Sequence, residues 1–209
     1  MIIKSLAVGP IMANCFILGC EETRKAVVID PGDEGEKILL SLAEDKLKVE
    51  HIINTHGHFD HVGANRMMKE ATGADIFIHA LDAPMLNSLS ETAAGFGLNV
   101  QNSPPPDKTM EDGDVISFGS ISLKVIHTPG HTLGGVSLYT DGSVFVGDTL
   151  FQGSIGRTDF PGGSYETLIS SIREKLFVLG DDVRVFSGHG PETSIGAERQ
   201  YNPFAGVGA

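Results

Sequence analysis

His56-Gly57-His58-Phe59-Asp60-His61 places three imidazoles and a carboxylate within six consecutive residues. Side chains alternate along an extended backbone, so His56 and His58 can leave a strand end on the same side. Asp60 and His61 follow as the chain turns, and they can face a second point nearby. Imidazole and carboxylate together suit zinc, and also iron or manganese. The stretch therefore reads as half of a site for two divalent metal ions.

The flanking sequence supplies the frame that holds such a stretch. Upstream, His51–Thr55 reads as the strand that delivers it, and Ile2–Val8, Asn14–Gly19 and Lys25–Asp30 read as three earlier strands. Gly9-Pro10 and Glu21-Glu22-Thr23-Arg24 separate those three, and Pro31-Gly32-Asp33 stops the last. Glu34–Asp45 carries Ile38, Leu39 and Leu42 at helical spacing. Downstream, Gly63–Ala71 and Leu81–Ser90 read as helices around a strand at Asp75–His79. Gly95–Lys108, with Pro104-Pro105-Pro106, reads as a long loop, either mobile at the surface or shaping a pocket. A second run of strands follows at Val115–Phe118, Ile121–His127, Gly135–Thr140 and Val144–Val146, then a helix from Ser164 to Phe177 and a strand at Asp182–Ser187. Strands and helices thus alternate twice over one domain spanning 1–209, and two similar halves packed face to face fit that order.

Three further ligand-type residues stand at three other strand ends. His131 follows the Pro129-Gly130 turn, Asp148 follows Val144-Phe145-Val146-Gly147, and His189 lies in Ser187-Gly188-His189-Gly190. His56, His58 and His131 can hold one metal, Asp60, His61 and His189 the other, and Asp148 can give one oxygen to each. A water between two such ions loses a proton at a pKa of about 7, and the hydroxide can attack a carbonyl. Asp60 is the candidate to orient it. The other histidines, His51, His79 and His127, read as structural, and Asp30 reads either as a hydrogen-bond acceptor for a ligand histidine or as a turn former.

Composition narrows the partners. Apolar residues make up 41 % of 209 residues and the formal net charge is −12, with a sequence pI near 5.0. That balance disfavours nucleic acid, which needs a basic face; the expected partner is a small-molecule substrate. No apolar run approaches a membrane span, and the N-terminus lacks the basic start and apolar core of a signal peptide. Cys15 and Cys20, the only cysteines, read as reduced structural thiols. A cytoplasmic protein is expected.

Thr55-His56-Gly57-His58-Phe59-Asp60-His61, Thr128-Pro129-Gly130-His131-Thr132, Gly147-Asp148-Thr149 and Ser187-Gly188-His189-Gly190 resemble the metallo-β-lactamase superfamily. The resemblance runs over nearly the whole chain. It implies an α/β fold, a four-layer αββα sandwich of two mixed sheets with helices outside and the site at one edge. Phe151 to Phe160 and the ending Glu198-Arg199 … Asn202-Pro203-Phe204 look most like the short hydrolases related to glyoxalase II. The resemblance implies a dinuclear hydrolase, carrying zinc, iron or manganese, acting on a thioester such as S-D-lactoylglutathione. The chain ends about twenty residues after His189, without the helical extension that supplies much of the glutathione contact in glyoxalase II proper. Glutathione specificity is therefore less firmly implied than thioester hydrolysis. Arg157 is a candidate substrate contact, or a loop strut paired with Asp159.

The rival expectation is an oxidoreductase. Gly156-Arg157-Thr158-Asp159-Phe160 also resembles the persulfide dioxygenase branch, whose single iron would take His56, His131 and Asp148 and whose substrate would be glutathione persulfide. A nuclease is disfavoured by length and charge. A class B β-lactamase is disfavoured because no cysteine stands at a ligand position.

Overall fold

Both faces of the central strands are apolar, and this dictates a layered arrangement. In Phe16-Ile17-Leu18 and Val27-Val28-Ile29 every residue is buried, so successive side chains must find cover on opposite sides of the sheet. The computed structural model describes residues 1–209. Its elements are β1 (Ile2–Val8), β2 (Ala13–Gly19), β3 (Lys25–Ile29), α1 (Gly35–Glu44), β4 (Lys48–Ile53), α2 (Phe59–Val62), α3 (Asn65–Thr72), β5 (Asp75–His79), α4 (Leu89–Ala94), β6 (Lys108–Met110), β7 (Val115–Phe118) and β8 (Ile121–His127). They continue with β9 (Val136–Thr140), β10 (Ser143–Gly147), β11 (Leu150–Phe151), β12 (Ser154–Ile155), α5 (Tyr165–Ser171), β13 (Arg184–Ser187), β14 (Thr193–Ser194) and α6 (Ile195–Tyr201).

One sheet runs in the order β1-β2-β3-β4-β5-β6 and the other β14-β13-β10-β9-β8-β7, with β11 and β12 a separate pair. Each large sheet is mixed. β3, β4, β5 and β6 are parallel beside the antiparallel β1 and β2. In the second sheet only β10 and β13 are parallel. Asp141 and Gly142, both at positive φ, close the β9–β10 hairpin, the conformation that matches the twist of paired strands.

Three apolar layers cement the stack. Between the sheets, Phe16, Leu18, Val27 and Ile29 meet Phe118, Leu123, Leu138, Phe145 and Phe186. Phe16 stands edge-on to Phe145 and Phe186 at 5.1 and 5.7 Å, and those two rings stack at 4.8 Å. The opposite faces of the same strands, through Ile17, Val28, Ile52 and Ile76, receive Ile38 and Leu42 of α1 and Met68 of α3. On the far side Val144, Val146 and Val185 pack on Leu168, Ile172, Leu176 and Ile195. The result is the αββα sandwich expected.

Most strands stand where the apolar pattern puts them, and the departures are local. The helix expected at Leu81–Ser90 is a 3-10 segment, Ala83–Asn87, followed by α4. Ser88, at φ −122°, breaks the helical run between them. The Ser164–Phe177 helix is α only to Ser171 and π over Ile172–Leu176, which brings Phe177 inward beside Leu176. β4 ends at Ile53 rather than Thr55, because the Thr55 amide turns to Asp30. The short elements α2, β6, β11, β12, β14 and α6 carry too few apolar positions to show a period. No helix is long and apolar enough to cross a membrane.

Candidate metal centre

Asp30, His56, His131, Asp148 and His189 all lie just beyond strand ends, and the topology gathers those ends at one edge of the sandwich. His56, His58 and His131 bring ligand atoms within 4.8 Å of one another, and so do Asp60, His61 and His189. A third such group, Asp30, His56 and His61, adjoins them. The rings of His56, His58 and His131 stand 4.6–4.9 Å apart and close to perpendicular, edges turned inward. Asp148 lies between the clusters: Oδ1 is 3.4 Å from His61 Nε2, and Oδ2 is 3.7 and 3.6 Å from His131 Nε2 and His189 Nε2.

Buried partners orient each ring. Asp30, at φ 52°, turns the chain out of β3. Its Oδ1 accepts from the Thr55 amide at 2.7 Å, and its Oδ2 from Thr55 Oγ1 at 2.6 Å and His61 Nδ1 at 3.1 Å. Asp30 therefore both turns the chain and holds a ligand histidine, satisfying both readings of that residue. With Nδ1 occupied, His61 presents Nε2. His131 Nδ1 donates to the Arg157 carbonyl at 2.8 Å, so its Nε2 faces His58 Nδ1 at 2.9 Å. Such partners fix tautomer and direction in a metal site. The tight packing requires Gly188: a Cβ there would meet Asp148 Oδ1 and His61 Cε1.

Electrostatics sort the histidines. Burial, together with the neighbouring rings, pushes His56 well below its usual range and His58 to about 4, leaving both neutral. Burial opposes charge on His61 as well, but Asp148, Asp30 and Asp60 outweigh it and hold His61 at about 10. His189 is raised against the effect of burial by its hydrogen bond with Asp60 and the charge of Asp148. Burial would lift the Asp60 carboxyl, yet the His189 hydrogen bond and the charges of His61 and His189 keep it well below the carboxylate range.

Two buried atoms test whether cations belong here. His56 Nε2 and Asp148 Oδ1 have no hydrogen-bond partner. Leaving such groups unsatisfied costs about 1–3 kcal/mol each. They belong to the first imidazole cluster and to the carboxylate between the clusters, so divalent ions would satisfy both. The donor set of imidazole nitrogens and carboxylate oxygens fits zinc, iron or manganese.

The other expectations resolve as follows. His51 stacks edge-on to Phe77 and contacts the Ser117 carbonyl, while His79 and His127 stack in parallel at 4.4 Å outside both clusters. Cys15 and Cys20 are buried free thiols. Arg157 lines the cavity beside the clusters. Its Nε and Nη2 donate to Asp159 at 2.7 Å each, and its Cζ lies 3.7 Å over Phe160. In the 95–108 loop Phe96 lines that cavity, whereas Ser103 is buried and accepts a hydrogen bond from Asn65 Nδ2.

Sequence reasoning missed Asp82 and Asn14. Asp82, 1 % exposed, accepts from the Gly57 amide at 3.2 Å, Thr132 Oγ1 at 2.7 Å and the Gly134 amide at 2.7 Å. It ties the His56–His58 loop to the His131 loop. Asn14 Nδ2 donates to the Ser187 and Gly190 carbonyls at 2.9 Å each and braces His189. An acid in the otherwise apolar Leu81–Leu86 stretch was the one local hint of Asp82.

Comparison with known proteins agrees with this fold. The family model of the metallo-β-lactamase superfamily matches residues 8–189. The hydroxyacylglutathione hydrolase GloC of Haemophilus influenzae is 40 % identical over 98 % of this chain and 98 % of its own. The crystal structure of TTHA1623 in a di-iron-bound form superposes with a TM-score of 0.89 at 38 % identity, covering 96 % of this chain and 99 % of that one. The crystal structure of BLEG-1 B3 metallo-β-lactamase gives 0.92 at 35 % identity, covering 98 % and 99 %.

Proposed function

The chain belongs to the metallo-β-lactamase superfamily, and from that premise we propose that it is a dinuclear metallohydrolase of acyl thioesters. One observation carries this reading: two ligand clusters, joined by Asp148, open onto a single cavity that His58, Asp60, His131, Asp148 and His189 all line. His56, His58 and His131 would hold one ion and Asp60, His61 and His189 the other, with Asp148 shared. Bound there, the ions would ionise a water and polarise the scissile carbonyl. The di-iron form of TTHA1623 supports iron as readily as zinc.

The chain's own groups do the rest. Asp60, which faces the cavity beside His189, orients the attacking water. Water adds to the acyl carbon, the C–S bond breaks, and the acid and the thiol leave; a thiolate needs little help from a protein acid. Arg157, on the cavity wall and held by Asp159, is the proposed substrate contact as one half of that neutral pair. The free buried thiols suit the reducing cytoplasm assigned in this reading.

Elemental analysis of protein purified without added metal, with S-D-lactoylglutathione hydrolysis assayed on the same sample, tests the proposal. Two metals with thiol release support it. Two metals with no cleavage of any thioester refute the substrate class. One iron with oxygen uptake on glutathione persulfide replaces it with the dioxygenase reading, which needs only His56, His131 and Asp148. The likeness to BLEG-1 B3 metallo-β-lactamase gives a β-lactam a place in the panel.

A further inference from the structure

The cavity that opens from the candidate metal centre, about 460 Å³ in volume, is large enough for a sizeable organic arm beyond the reacting carbonyl. Its apolar walls are Ile11, Phe59, Met85, Phe96, Phe160 and Pro161, with the hydroxyls of Ser88 and Thr92 beside them. The rings interlock: Phe59 with Phe96 at 5.4 Å, Phe96 with Phe160 at 6.4 Å, and Phe160 with the His58 imidazole at 5.7 Å. This aromatic wall begins at the candidate ligands themselves.

Charge on the lining is sparse and already committed. Asp60 and Asp148 belong to the metal clusters. Away from the candidate ligands, Arg157 is the one basic side chain on the lining, and Asp159 takes its Nε and Nη2 in a two-point bond while Phe160 covers one face of the guanidinium. The Asp159 carboxyl is held at about 2 by its hydrogen bonds from Arg157, so the pair is intact across the neutral range. An anionic arm reaching away from the metal centre would have to lose its water against apolar rings, with no unpaired cation there to meet it. It would also approach a chain of formal net charge −12. An apolar arm gains from each ring it covers.

We propose that the thiol arm of the substrate is uncharged and apolar, so that the preferred thioester carries a neutral thiol rather than a carboxylate- or phosphate-bearing one. This rests on the thioester reading above. The hydrolysis is unchanged: one water is consumed, the acyl carbon exchanges sulfur for oxygen, and the neutral thiol departs with a proton. Asp159 then acts as a specificity residue, by occupying the cation that an anionic arm would use.

The test compares the D-lactoyl thioesters of N-acetylcysteamine, glutathione and coenzyme A on metal-loaded enzyme. At low salt the neutral ester should exceed the glutathione ester in kcat/KM by about tenfold, and added salt should narrow the gap because it screens repulsion. Asp159→Asn should move the glutathione-to-neutral ratio up by about fivefold, as Arg157 is released. Equal kcat/KM values, or a preference for either anionic ester, overturn the proposal. Binding of S-benzyl-N-acetylcysteamine and S-benzylglutathione, thioethers that cannot be hydrolysed, separates the two claims by calorimetry. Tighter neutral binding with no thioester cleavage refutes the hydrolase reading and upholds the neutral cavity. Tighter S-benzylglutathione binding refutes the neutral cavity even where thioesters are cleaved.

Discussion

Replacing Asp82 by alanine removes a buried carboxylate that joins the His56–His58 loop to the His131 loop. Three donors lose their acceptor: the Gly57 and Gly134 amides and Thr132 Oγ1. With Asp82 1 % exposed, each orphaned buried donor costs about 1–3 kcal/mol. Water entering the space left by the carboxylate recovers part of this, so the expected loss is about 3 kcal/mol. For a chain of this length that lowers Tm by about 6–12 °C. The functional effect is sharper than the stability effect. Both loops serve the His56/His58/His131 cluster, whereas His61 is held by Asp30 and the His189 loop by Asn14. Metal affinity at the first cluster should therefore fall about 10–100-fold, as for other removed supports of ligand loops, with the second cluster far less affected. Metal titration under competition with a chelator, alongside thermal melts, reads both. Equal weakening of two sites, or full occupancy with a Tm within 1 °C of the parent (roughly the noise of such melts), would show that Asp82 does not clamp the loops.

Other perturbations probe separate layers of the argument. His58→Ala removes one of the three converging imidazoles and should lower metal content and activity together; full activity at unchanged metal content would contradict its assignment. Gly188→Ala drives a methyl into Asp148 Oδ1 and His61 Cε1 and should reduce metal content while far-UV circular dichroism stays native; normal metal loading would sink the packing argument. Phe145→Ala, deep between the sheets, should cost about 3–5 kcal/mol by urea unfolding; a loss below about 1 kcal/mol would mean that the inter-sheet core collapses around the gap. In chelator-treated protein His61 is raised from 6.5 to about 10, so the stability it adds is complete below pH 6.5 and is lost as pH rises through 10. A ligand nitrogen must shed that proton, so metal uptake should release protons and tighten with rising pH, measured by calorimetry in buffers of different ionisation enthalpy. Affinity independent of pH between 6 and 9 would contradict the charge on His61.

Legibility in the sequence followed the range of the interactions. Long apolar runs such as Asn14–Gly19 and Ile121–His127 declared themselves because alternation and burial act over five to seven neighbouring residues. Two-residue strands such as β11 and β14 did not, since their pairing comes from partners elsewhere in the chain. The candidate ligands were readable for a related reason. Histidine and carboxylate at strand ends, in turns rich in glycine, have little packing use, so their chemistry is visible without their partners.

The residues that support them were harder to see. Asp30 was readable only as one of two alternatives, and Asp82 and Asn14 look like ordinary polar residues until their partners arrive. Asn14 bonds Ser187 across 173 positions and Asp82 bonds Gly134 across 52. Arg157 was ambiguous for the same reason: its pair with Asp159 is local, but its place on the wall of the cavity depends on the approach of Phe96 and His58. From the sequence alone came two runs of strands and helices and the identities of seven candidate ligands, because hydrophobic period and donor chemistry are properties of short stretches; the αββα sandwich was implied by the resemblance those ligand motifs carry. Only the tertiary structure decided which ligands converge, what holds them and what charge the cavity presents, because those depend on atoms brought together across the whole length of the chain.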